Sequence, residues 1–177
     1  MPKSSKKQID DDEKKVIREL QRNSKESIDK LAKKCGFSRQ KVWRIIKRLE
    51  NNRTIWGYHA IVDEKKQNMK SYVILFKGKH LPIENTIEEN IVNKTIDKLG
   101  EKIGVIVEDS YWLHGLYDIM ICFFAKDLKT AKKFQEIFIN TYTENISELH
   151  LIEKIVTIKK GGFMNPKIKE TKSLLQS

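Results

Sequence analysis

The chain has 177 residues, 39% of them hydrophobic and 33% charged, and carries a net charge of +11. That content suits one folded domain or two small ones, and the longest apolar run, residues 119–125, falls far short of the roughly 20 residues of a membrane-spanning helix. The two cysteines form no CxxC pair and no apolar signal segment follows the basic start, so the expectation is a soluble, cytoplasmic protein without a disulfide framework, zinc cluster or membrane partner.

The positive charge is unevenly placed. Residues 1–63 hold eleven Lys and six Arg against nine acids, residues 64–158 hold thirteen Lys against fourteen acids, and residues 159–177 hold five Lys and one acid. All six arginines (Arg18, Arg22, Arg39, Arg44, Arg48 and Arg53) fall within one fifth of the chain. The planar guanidinium can bond a phosphate or a guanine edge with two parallel hydrogen bonds, which an ammonium cannot. A polyanion-binding head joined to a neutral body is the first reading.

The first helix is expected to start at Asp10, capped there and closed by Glu13 as a capping box, with Val16, Ile17 and Leu20 buried. A second helix from Ser27 buries Ile28, Leu31, Ala32 and Cys35 at helical spacing, and Gly36 ends it. Ser38 then caps a third helix whose apolar positions are Val42, Ile45, Ile46 and Leu49. Two short helices joined by a turn of this length make a helix-turn-helix, residues 28–47. Residues 54–62 read as a strand pair, the wing, and complete a domain at 9–63.

Residues 64–70 form a polar linker, and 71–160 then change to a strand, helix, strand, strand, helix, strand order. Strands are expected at 72–76, 105–113, 117–125 and 149–158. One helix is expected at 83–99, opened by Pro82 and closed by Gly100, and another after Asp127 that buries Ala131, Phe134 and Phe138. This βαββαβ order is ferredoxin-like, so the whole is an α+β chain. Residues 161–177 read as a loose basic tail. The run at 119–124 is apolar at every position, so both faces of the sheet are apolar there. Two helices cover only one face, which leaves the other for a second copy of the chain or, alternatively, for the tail or the wing domain folded back over it.

Taken together, these segments resemble the Lrp/AsnC family of transcription regulators. The matching pieces are IDDDEKKVIREL, SIDKLAKKCGFSRQKVWRIIKRLE, TIWGYHAIVD and a Gly-x-Tyr-Asp turn at Gly115-Leu116-Tyr117-Asp118. The resemblance implies a winged helix-turn-helix that binds palindromic double-stranded DNA as a homodimer. It also implies an effector and oligomerisation domain that often assembles into tetramers or octamers. Many members bind an amino acid near the Gly-x-Tyr-Asp turn, which marks Gly115, Tyr117 and Asp118 as effector candidates. This sequence departs at Arg53, where the family usually has Gly. In the last strand, where threonines often line the pocket, it has Ile152 to Ile155, so an amino-acid effector is not expected here. The chain also runs past the family's usual end near Lys160.

On the third helix, Gln40, Arg44, Lys47 and Asn51 lie opposite the apolar stripe, flanked by Trp43 and Arg48. In a helix-turn-helix this face enters the major groove, where Gln40 can read adenine and Arg44 guanine. Ser38, Arg39, Lys41 and Arg48 suit phosphates, Arg53 lies just beyond, and Trp43 either packs on the scaffold or meets a thymine methyl. Cations in the first turn oppose the helix dipole, which makes sense where a phosphate is expected. Asp118 serves equally to order its turn. A sirohaem-decarboxylase-like enzyme shares the two-domain layout, but residues 64–177 contain no Arg to hold substrate carboxylates. Cys122 and His114 lack an orienting third group, so no enzyme is expected. The four histidines share no ligand spacing and no Gly-rich loop occurs, so neither a metal nor a cofactor is expected.

Overall fold

A computed structural model describes residues 5–79 and 85–175. The chain divides between Ile61 and Val62 into two compact units. The first holds three helices, α1 (Lys6–Arg22), α2 (Ile28–Cys35) and α3 (Arg39–Asn51). Val16, Leu31, Ala32, Cys35, Val42, Ile45 and Leu49 form its core.

Helix α1 begins a turn earlier than the acidic run suggests. Ser5 is its cap, accepting from Gln8 N at 3.2 Å, so Asp10 and Glu13 lie inside the helix and form no capping box. Nothing between Ser5 and Asp10 disfavours helix, and the earlier cap wins. The acids turn to other partners: Asp10 to Lys14 at 2.6 Å, Asp12 to Lys41 and Glu13 to Arg48.

The turn after α2 follows the sequence reading. Gly36 has φ +69°, and Phe37 N donates to Ala32 O at 2.9 Å, closing the helix with a left-handed residue. Helix α3 ends the same way, but with Arg53 at φ +60° and Thr54 N donating to Leu49 O at 2.9 Å. The backbone therefore keeps the conformation that glycine favours, and an arginine occupies it at a cost of about 1–2 kcal/mol. The expected wing strands at 54–62 do not form. That stretch pairs with no strand among the described residues, and Trp56 is 95% exposed. A strand needs a ladder partner, and the described chain supplies none there.

The second unit is a four-stranded antiparallel sheet in the order β2-β3-β1-β4. Its strands are β1 (Lys70–Gly78), β2 (Ile106–Trp112), β3 (Ile119–Ala125) and β4 (Ile146–Lys154). Helices α4 (Asn85–Val92), α5 (Thr95–Glu101) and α6 (Leu128–Thr141) supply the α elements of the ferredoxin-like fold. The single helix expected at 83–99 is two, broken at Lys94, which has φ +53°. Pro82 lies outside the described residues. Gly100 does not close a helix either. It is buried within α5, where a Cβ would meet the Phe134 ring at 3.0 Å, and Gly104 takes the left-handed turn instead. Strand β4 lies about three residues earlier than expected, because its register on β1 pairs Phe76 with Leu149 and Ser71 with Lys154.

Tyr72, Ile74, Phe76, Ile119, Ile121, Phe123 and Ala125 face the helices and meet Ile87, Ile96, Phe134 and Phe138 in the core. Alternation then sends Val73, Leu75, Met120, Cys122 and Phe124 to the opposite face, with Ile106 and Ile152 beside them. Ile106 and Ile152 are exposed. The expected loose tail is ordered over the described residues. A hairpin of β5 (Lys159–Lys160) and β6 (Phe163–Met164) leads to a 3-10 segment, Ile168–Leu175. Gly161 and Gly162 both have positive φ, the pair of conformations that a two-residue type I′ turn requires.

Candidate nucleic-acid interface

Ser38 starts α3 with extended backbone and accepts from Lys41 N at 3.2 Å. Val42, Ile45 and Leu49 anchor the inner face of the helix, so Gln40, Trp43, Arg44, Lys47, Arg48 and Asn51 are left exposed. All the α3 residues singled out in the sequence therefore lie on one exposed, basic surface, with Arg39 at its start and Arg53 just past its end.

The cations on this surface are not alike. Arg39 approaches Asp29 at 3.6 Å, Lys47 holds Glu50 at 2.9 Å, and Arg48 Nε donates to Glu13 at 2.6 Å. Glu50 also accepts from the Tyr58 hydroxyl at 3.2 Å. Among the described residues, Arg44 has no carboxylate within ion-pair distance. The Arg39 and Lys47 pairs are the more exposed and exchange readily for a phosphate, because exposed ion pairs contribute little in water.

Lys41 differs from the rest. Its Nζ lies 2.6 Å from Asp12 Oδ2 and 4.0 Å from the centre of the Phe37 ring. The Asp12 side chain is 6% exposed and also accepts from Gln8 Nε2 at 3.0 Å. Burial pushes the Asp12 carboxyl up. Hydrogen bonds from Lys41 and Gln8 and the charges of Lys41 and Lys15 outweigh it, so the group is held below the usual carboxylate value. The contact ties the first turn of α3 to α1. Neither partner is marked by local sequence pattern, since the two meet only through the packing of α1 on α3.

Removing the ammonium leaves a buried carboxylate with one neutral donor. Lys41→Ala is therefore expected to cost about 1–3 kcal/mol of unfolding free energy, read from the urea midpoint. A folded-state value lowered below the unfolded one contributes stability above about pH 4 and loses it as pH falls further. The difference between wild type and Lys41→Ala should accordingly narrow below pH 4. A variant as stable as wild type at pH 7 would show that the pair does not hold the helix.

In the second unit, Asp118 is part of the turn hydrogen bonding. Gly78 N donates to its Oδ2 at 2.7 Å, its own N donates to Phe76 O at 2.9 Å, and its O accepts from Leu113 N at 2.7 Å. Tyr117 packs edge-on against His150, with ring centres 5.7 Å apart. Burial pushes the Cys122 thiol up, away from the thiolate that nucleophilic chemistry needs.

Comparison with known proteins agrees with this geometry. Residues 9–55 match the winged helix-turn-helix DNA-binding family. The HTH-type transcriptional regulator Ptr1 of Methanocaldococcus jannaschii is 30% identical over 120 residues, covering 68% of this chain and 74% of that one. The AsnC family transcriptional regulator from Agrobacterium tumefaciens shares the fold at 22% identity, with a TM-score of 0.60 over 89% of this chain and 97% of its own. A transcriptional regulator from Neisseria meningitidis, solved with L-Met, shares it at 17% identity, with a TM-score of 0.62 over 95% and 99%. A helix-turn-helix with this basic outer face, followed by a ferredoxin-like domain, is a DNA-binding transcription regulator. The chain belongs to the Lrp/AsnC family. No helix among the described residues is long and apolar enough to cross a membrane.

Proposed function

We propose that the protein reads a palindromic operator as a homodimer, with α3 of each copy in the major groove. Gln40 and Arg44 contact base edges, Arg44 taking a guanine and Gln40 an adenine. Ser38, Arg39, Lys47, Arg48, Asn51 and Arg53 hold the backbone around them, and Trp43 leans on a thymine methyl. The observation that carries this reading is the exposed Arg44, which has no acidic partner among the described residues and sits between Gln40 and Lys47 on the outer face of α3. Lys41 is assigned a different part: it acts through Asp12, as a strut that sets the helix, rather than on a phosphate.

The second copy packs on the sheet face opposite the helices, where Val73, Leu75, Met120 and Cys122 form an apolar strip with no helix over it among the described residues, bounded at one end by Phe124, whose ring lies under Lys160. No amino-acid effector is part of the proposal. Asp118 is accounted for by its turn hydrogen bonds and Tyr117 by its contact with His150. Selection from a random duplex library tests the reading directly. The expected product is an inverted repeat with half-site centres about one helical turn apart, each containing a guanine. Enrichment of no sequence at all would remove base readout from the proposal.

A further inference from the structure

Three distant stretches of the second unit converge on one ammonium group. Lys160 Nζ lies 2.6 Å from Glu64 Oε1, pairs with Glu108 Oε1 as well, and stands 4.8 Å from the centre of the Phe124 ring. The three charged side chains are mostly buried, at 24%, 16% and 19% exposure for Lys160, Glu64 and Glu108. The β2–β3 register steps from Val107 to Asp109, which leaves Glu108 out of the ladder as a bulge residue. A bulge re-aims a side chain, and here it frees Glu108 to meet the tail. The Gly161–Gly162 turn brings the chain back, and a second hook follows: Lys167 Nζ reaches Asp63 Oδ2 at 3.2 Å. Asn165 ties the hairpin to its own stem, donating through N to Ile158 O and through Nδ2 to Thr157 O, both at 2.9 Å.

Both hooks land on the linker. Asp63 caps the 3-10 turn Glu64–Gln67, and Glu64 opens it. The turn, EKKQ, has no apolar side chain of its own to sink into the sheet unit. Two of the five lysines beyond residue 158 are engaged in these pairs, which argues against a free polyanion-binding tail.

We propose that residues 155–170 form a strap that locks the linker to the sheet unit through Lys160 and Lys167, and so fixes the direction in which the chain leaves for the helix-turn-helix. The strap itself does not depend on DNA binding. Its functional consequence rests on the dimeric operator reading: a fixed exit restricts the half-site separations that one dimer can span.

Trypsin cleavage after Lys65 and Lys66 of the full chain, mapped by mass spectrometry, reads the lock. Both lysines are exposed, and Lys160 and Lys167 are remote from them in sequence. Lys160→Met is expected to accelerate cleavage there roughly tenfold, from the loss of a mostly buried charged pair. Lys167→Met, at a more exposed pair, should accelerate it about two- to threefold, and Lys160→Arg should return the rate toward wild type. Cleavage after Lys126 and Lys132, at the start of α6, should stay at the wild-type rate. An unchanged rate at Lys65 and Lys66 in Lys160→Met overturns the proposal, and so does an equal acceleration at every site. A second readout is binding to duplexes whose half-sites are moved apart by half a helical turn. Wild type should lose most of its affinity, and Lys160→Met should lose less. If cleavage responds as expected but wild type binds no duplex selectively, the strap stands and the operator reading fails.

Discussion

Cys122→Lys is expected to leave the sheet unit folded and the protein monomeric at micromolar concentration, whereas wild type should sediment as a dimer or larger. Cys122 points to the face opposite the helices, between Met120 and Phe124, and is 9% exposed in a single copy. In a single copy a lysine stem can lie along the sheet and carry its ammonium to water. Against a second sheet it would bury an unpaired charge, which costs several kcal/mol. Stable dimers bury about 1,200–2,000 Å² in total, roughly half of it from each copy. Operator affinity should fall with the dimer, by two orders of magnitude or more, because each half-site is then bound without the effective concentration that linkage supplies. The adjacent residue is the control. Ile121 is 5% exposed and packs in the helix-covered core, so Ile121→Lys should unfold the unit, at a cost of 4 kcal/mol or more. Wild type running as a monomer would end the assignment of this face.

Arg44→Ala should cost about 1–3 kcal/mol in operator affinity, roughly 5- to 150-fold, and relax the preference at one base pair of each half-site. Stability should change by no more than about 0.5 kcal/mol, because the side chain is exposed and makes no ion pair among the described residues. Lys41→Ala should show the reverse pattern: a stability loss and, once folded protein is counted, a salt dependence of binding equal to that of wild type. A lysine on a phosphate would instead flatten the slope of log affinity against log salt by about one unit. Competition assays on specific and random duplexes at several salt concentrations separate the two roles. Equal weakening of all duplexes by Arg44→Ala would make the helix a nonspecific anion binder.

The helix-turn-helix was readable because every signal in it is local. Ser27 and Ser38 cap helices through amides three residues away, Gly36 supplies its own left-handed turn, and the buried residues recur at helical spacing. The order of strands and helices along the second unit followed from apolar runs of strand length, and the run at 119–124 showed in advance that both faces of the sheet are apolar there. Periodicity placed Arg44 on the outer face for the same reason: a helix wheel needs only the helix.

Errors arose where two local signals competed or where a partner was remote. Ser5 and Asp10 are both good caps, and the chain used the first. The break at Lys94 has no Gly or Pro to mark it, because a lysine there adopts the left-handed conformation that glycine usually takes. The hairpin after Lys159 did carry a local signal, the Gly161–Gly162 pair between β-capable residues, yet its basic composition suggested a loose tail.

Composition and periodicity determine which segments are helix or strand and which side of each is apolar, since those depend on neighbours within a turn or two. The partner of each charge is a different matter. Lys41 and Lys160 look like any other lysine in the sequence. Only the packing of α1 on α3 brings Asp12 to the first, and only the sheet order with the β2 bulge brings Glu64, Glu108 and Phe124 to the second. Whether a cation is free for a polyanion or already engaged is decided by contacts between residues remote in the chain, and the energy of those contacts exists only once the tertiary structure has formed.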